Sequence, residues 1–128
     1  MRQVKLEYVW LDGCEPVGIR SKTRNVNIPS ENPQIPPTID NIIEHAPEWS
    51  YDGSSTNQAV TENSDLSLKP VKVFKNPFVP PQSPIPSFIV LCEVYDMDGN
   101  PHATNNRAIL RDAFSNNKES DKTIFSVE

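Results

Sequence analysis

Val4, Leu6, Tyr8 and Trp10 are apolar at every second position, with Lys5, Glu7 and Val9 between them. A period of two places all four on one face of a strand, so this segment must pair in a sheet and bury one side. Asp12-Gly13 then offers turn chemistry, because glycine takes positive φ without steric penalty. Beyond it, Val17, Ile19, Ser21 and Thr23 alternate with Gly18, Arg20, Lys22 and Arg24. Two alternating runs about a turn predict an antiparallel hairpin at the start of the chain.

Past the hairpin the pattern changes. The stretch 25–37 is rich in Pro, Asn and Ser and is expected to be a loop. Thr38 is placed to cap a short helix with Ile39, Ile42, Ile43 and Ala46 at helical spacing, and Pro47 ends it. The segment 52–67 is polar and without a period, which predicts a long loop of the kind that often carries function. Residues 68–74 form a weaker strand candidate, with Pro70 indicating a sheet edge or a strand start. Residues 76–87 hold five prolines and exclude regular hydrogen-bonded structure. Phe88 to Tyr95 is apolar at nearly every position, as in a central strand covered on both faces. A turn over 96–101 precedes a helix expected over 106–114, capped by Thr104 or Asn105, with Ile109, Leu110, Ala113 and Phe114 facing inward. A further strand is expected to start over 123–128. A small mixed sheet with a covering helix is an α+β arrangement.

The chain has 128 residues and a formal net charge of −5, enough length for one domain with a real core. Lys and Arg are scattered, so nucleic-acid binding is not expected. No segment approaches a membrane span, and the N-terminus lacks the apolar run of a signal peptide, so the expected location is cytoplasmic. Two cysteines make no disulfide framework. Cys92, inside an apolar run, reads as a small buried hydrophobe, whereas Cys14 follows a turn signal and is open to either setting. His45 and His102 have no Cys or carboxylate at metal spacing. With four glycines in the whole chain there is no phosphate loop, and no nucleophile elbow occurs.

Larger motifs say more. Lys5-Leu6-Glu7-Tyr8-Val9-Trp10-Leu11-Asp12-Gly13, Arg20-Ser21-Lys22-Thr23-Arg24, Trp49-Ser50-Tyr51-Asp52-Gly53-Ser54-Ser55-Thr56-Asn57-Gln58, Cys92-Glu93-Val94-Tyr95 and Thr104-Asn105-Asn106-Arg107 occur in that order. Together they resemble the N-terminal domain of the shorter, eukaryotic-like class of glutamine synthetases. The resemblance implies a β-grasp-like domain over 1–105, with 106–128 as an incomplete start of the catalytic domain. It also implies a ring-shaped homo-oligomer in which the Asp-Gly-Ser-Ser loop of one subunit is lent to the catalytic domain of the next. The reaction would be ATP-dependent ligation of ammonia to glutamate with magnesium, through a γ-glutamyl phosphate.

On this resemblance Asp52 is the aspartate that binds ammonium and takes its proton, and Ser55 lines the same site. By composition alone, Asp52-Gly53 reads first as an ordinary Asp-Gly turn. Glu128 matches the first glutamate of a magnesium-holding Glu-x-Glu pair. The remaining ligands for magnesium, ATP and glutamate are not found in the sequence, so the chain alone is expected to be inactive. An alternative is a non-catalytic module that docks on full-length glutamine synthetase. Tyr8, Trp10 and Trp49 are the aromatics expected near the surface that meets a partner. Two segments, 25–46 and 79–87, are longer than the family usually has, and two Pro-x-x-Pro patterns, 77–80 and 81–84, overlap the second; an ordered surface insertion is the plainer reading of them, and a docking site for a proline-recognising domain the other.

Overall fold

The computed structural model describes residues 1–32, 34–60, 63–80 and 83–116. The strand expected over 123–128, together with Glu128, lies outside the described residues, and so do Pro81 and Gln82 of the second Pro-x-x-Pro pattern. Strands β1 (Arg2–Leu11) and β2 (Ile19–Ile28) form the expected antiparallel hairpin, in register from Arg2 opposite Ile28 to Leu11 opposite Ile19. Helix α1 (Ile39–His45) follows, then strand β3 (Trp49–Asp52), a 3₁₀ turn (Gly53–Thr56), strand β4 (Asp65–Lys75), strand β5 (Ser87–Tyr95) and helix α2 (Asn106–Asn116).

The strands make one mixed sheet in the order β2-β1-β5-β4-β3, with β5 in the centre and parallel to β1. Its alternating residues supply the core. Val4, Leu6, Tyr8 and Trp10 from β1, Leu66, Leu68 and Val73 from β4, and Phe88, Val90, Cys92 and Val94 from β5 are buried together. Helix α1 covers this face. Thr38 is its N-cap in a capping box with Asn41, and Ile42 enters the core while Ile43 and Ala46 pack at its margin. The chain is therefore an α+β, β-grasp-like domain.

The sheet curls until its two edge strands meet. Lys22 on β2 stands over the Trp49 ring of β3, 3.7 Å from its centroid, and the Arg24 guanidinium lies 4.5 Å from the same ring. Lys22 Nζ also donates to the Ser50 carbonyl. Tyr8 and Trp49 meet edge-on with centroids 5.2 Å apart, and Trp10 lies 4.6 Å from Tyr51. These contacts correct the sequence expectation for three aromatics. Tyr8 and Trp10 are buried and Trp49 is packed at the core margin, so they close the curl and do not form an open surface.

Two further expectations change. The segment after Asp52 is not one long loop: β3, the 3₁₀ turn and the start of β4 all fall in or beside it. Pro70 sits where the β4–β5 register shifts, beyond the last residue of β4 that pairs with β3. A bulge at a locally unpaired side is where a strand tolerates the missing N–H.

Helix α2 is rotated away from its apolar stripe. Ile109 and Leu110 are more than half exposed at 56% and 55%, Ala113 is exposed and Phe114 half-buried, while Ala108 is buried. The cause is Glu93, which points to the sheet face opposite the α1 core and is 2% exposed. A carboxylate so enclosed needs charged partners. Arg111 gives it two hydrogen bonds, of 2.7 and 2.9 Å, and Arg107 an ion pair at 3.2 Å. Arg107, Ala108 and Arg111 share one helix face, so this carboxylate decides which side of α2 meets the sheet. Asn105 caps the helix through Ala108 N–H and donates to the Val94 carbonyl.

Candidate functional site

Asp52 ends β3 and opens the 3₁₀ turn as its N-cap. Its Oδ1 accepts the Ser54 N–H at 2.9 Å and the Ser54 hydroxyl at 2.7 Å. The side chain is exposed. The Ser54 hydroxyl, then the Ser54 N–H, hold the carboxyl below the usual aspartate range, so it is an anion at neutral pH. Ser55 is exposed on the same turn, but its hydroxyl donates back to the Asp52 carbonyl at 2.8 Å. The hydroxyl 2.7 Å from the carboxylate is that of Ser54, and the Ser64 side chain also bonds to it; neither serine was singled out as a site residue from sequence. The two expected site residues are thus neighbours on one outward-facing turn.

Close backbone approaches seat the turn. Gly53 is buried, and a Cβ there would lie 2.6 Å from Leu66 Cδ1. Asn57 takes the left-handed region at φ 58°, donates from its side chain to the Gly13 carbonyl at 2.9 Å, and is followed by the buried Gln58. Gly13 N–H donates to the Thr56 carbonyl at 2.9 Å. The β1–β2 loop is therefore the platform under the turn. Asp12 fixes that loop: it accepts Gly18 N–H at 2.7 Å, Cys14 N–H at 3.0 Å and Arg20 Nε at 2.8 Å. The Arg20 guanidinium, ahead of the two N–H donors, keeps its carboxyl far below the ordinary range. The Cys92 thiol is buried and pushed up to about 12 by burial, which makes it an inert core residue as expected.

Among the described residues no group of three or more His, Cys, Asp or Glu is placed to hold a metal ion. Also among them, no helix is long and apolar enough to cross a membrane.

The fold and the turn together define the class: a small α+β, β-grasp-like domain with an aspartate-capped 3₁₀ turn exposed above a hairpin platform. No family model matches the chain. Relatives do. It is 39% identical over 111 residues to the mitochondrial glutamine synthetase 1 of Drosophila melanogaster, covering 87% of this chain and 24% of that protein. It is 42% identical over 105 residues to the glutamine synthetase of Xenopus laevis, covering 82% and 23%. Over 125 residues it is 38% identical to the glutamine synthetase of Streptomyces viridochromogenes, covering 97% and 32%. The chain belongs to the glutamine synthetase family and corresponds to its N-terminal β-grasp domain. It spans about a quarter to a third of the length of these relatives.

Proposed function

We propose that this domain supplies the ammonium-handling turn of a glutamine synthetase active site that a neighbouring subunit completes. The observation that supports this most is the exposed, ionised Asp52 carboxylate at the head of the Gly53–Thr56 turn, inside the segment that carries the family resemblance. An anion there attracts ammonium. A carboxyl held below its ordinary range is a good anion and a poor base. Enclosure by a partner surface would strip water from it and raise its proton affinity, so attraction comes first and proton transfer follows closure. The ammonia left behind has a free lone pair to attack the γ-carbonyl carbon of a γ-glutamyl phosphate, with phosphate leaving. Ser55 would orient the ammonium by accepting one of its hydrogen bonds.

Magnesium and ATP belong to this reading for the whole enzyme. Magnesium wants several oxygen ligands in near-octahedral geometry, which the described residues do not gather. No step is therefore assigned to it here. We take residues 1–105 as the β-grasp domain and 106–128 as the opening of the catalytic domain, in a cytoplasmic homo-oligomer.

The test is to place residues 1–128 in the Xenopus laevis relative, in exchange for the segment they match, and to measure glutamine formation from ATP, glutamate and ammonium. Turnover above that of the 128-residue chain alone supports the reading. A folded but inert graft, with the 128-residue chain instead binding the intact relative, would replace it with the docking-module reading.

A further inference from the structure

Behind the exposed turn lies a closed ring of hydrogen bonds in which each donor can be assigned. His102 Nε2 is 2.6 Å from the Gln58 carbonyl oxygen. A carbonyl has no proton to give, so Nε2 carries the ring proton. His102 Nδ1 accepts the Thr104 backbone N–H at 3.1 Å and lies 2.8 Å from Thr104 Oγ1. An amide N–H can only donate, so Nδ1 is bare and the imidazole is neutral. The single Thr104 hydroxyl proton goes to Nδ1, and its oxygen accepts Gln58 Nε2–H at 2.8 Å. The second Gln58 Nε2 hydrogen meets the Leu11 carbonyl at 3.1 Å, which fixes the amide orientation. Gln58 Oε1 then accepts the Tyr51 hydroxyl at 2.6 Å and the Thr56 hydroxyl at 2.7 Å. Both hydrogens and both lone pairs of this buried amide are used.

Gln58 also ties the ring to the turn, because its backbone N–H donates to the Gly53 carbonyl at 2.8 Å. The far end of the turn that begins at Asp52 is thus braced against residues 102–104, more than forty positions away in sequence.

We infer that His102 is a positioning residue for Asp52: as the neutral Nε2–H imidazole it braces Gln58, and through Gln58 it holds the turn in the form where Ser54 caps the Asp52 carboxylate. It does not touch Asp52. The catalytic meaning of the brace rests on the role proposed for Asp52, whereas the brace itself is tested without turnover.

The experiment is NMR on the 128-residue chain. In the wild type, imidazole nitrogen signals should report a protonated Nε2 and a bare Nδ1. His102→Ala should move the Asp52 carboxyl titration up toward the ordinary aspartate range. It should also speed Ser54 amide exchange at least about tenfold, as local opening does. His102→Gln keeps a donor in reach of the Gln58 carbonyl and should restore most of the protection. A protonated Nδ1 in the wild type overturns the inference. So does a folded His102→Ala chain that melts lower while Asp52 titration and Ser54 exchange stay unchanged, the signature of a merely structural histidine. If His102→Ala does not fold, His102→Gln and the wild-type tautomer decide. Loss of catalysis on changing Asp52 is a separate measurement, so failure of the brace and failure of the Asp52 role are distinguishable.

Discussion

Gly13 is where the hairpin loop and the Asp52 turn come closest, and its lack of a side chain is what allows the contact. A Cβ at this position would lie 2.3 Å from the Asn57 carbonyl oxygen, which is backbone and cannot swing aside. Gly13→Ala should therefore lift the turn off its platform and destabilise the domain by about 1–3 kcal/mol, the usual range for overpacking. A melting curve gives the size, and shifted amide signals over 53–57 give the place. Unchanged signals there would mean that the platform does not seat the turn. Asp12, two hydrogen bonds and an ion pair deep in the same loop, was legible from sequence only as turn chemistry next to Gly13. Its partners are set by how the loop folds back, and residue type alone does not encode that.

At the scale of elements, Glu93 decides the seat of α2. The Arg111 guanidinium holds its carboxyl below the ordinary value of about 4.3. A lowered folded-state value means that the contribution is complete above the ordinary range and is lost as pH falls through the folded-state value. Acidification below pH about 4 should therefore release α2 before the sheet, read as early loss of amide protection over 106–115. Glu93→Gln should release it at neutral pH, at a cost of about 1–3 kcal/mol. That is less than for a fully buried pair, because Arg107 and Arg111 are half exposed, at 52% and 51%. Simultaneous loss of α2 and β5 protection would contradict this.

The same helix shows why some elements were readable and others not. Strands β1 and β2 announce themselves because ten residues of alternation have one physical solution. The stripe of Ile109 and Leu110 in α2 misled, since periodicity is blind to a carboxylate arriving from β5. Strand β3 is four residues long and carries two polar ones, too short for a period to show. Asp52 and Ser55 were singled out only through family motifs, and the structure places them on one exposed turn. Gln58, His102 and Thr104 gave no local signal, because what joins them is a set of contacts across more than forty residues.

For the whole molecule, the sheet has one face closed by α1 and another that leaves apolar groups in water. Leu11 and Ile19, paired across β1 and β2, are 50% and 74% exposed, and Ile109 and Leu110 lie uncovered on α2. The isolated chain should associate as its concentration rises. A sedimentation series should show the mean mass climbing, and Ile109→Glu with Leu110→Glu should reduce it. A strict monomer at high concentration would contradict the view that this domain is built to be covered.

The central claim is that Asp52 handles ammonium and does not merely cap a turn. The most direct measurement is the ammonium dependence of glutamine formation by the grafted enzyme, wild type against Asp52→Asn. Asparagine keeps the shape and can still accept from Ser54, so the melting temperature should barely move, within the roughly 0.5 kcal/mol typical of surface changes. It cannot attract a cation by charge or take a proton. Turnover should fall by at least about a hundredfold, with a raised ammonium requirement. An Asn variant that makes glutamine at the wild-type rate, with the wild-type ammonium dependence, would contradict the claim and leave Asp52 as a turn residue.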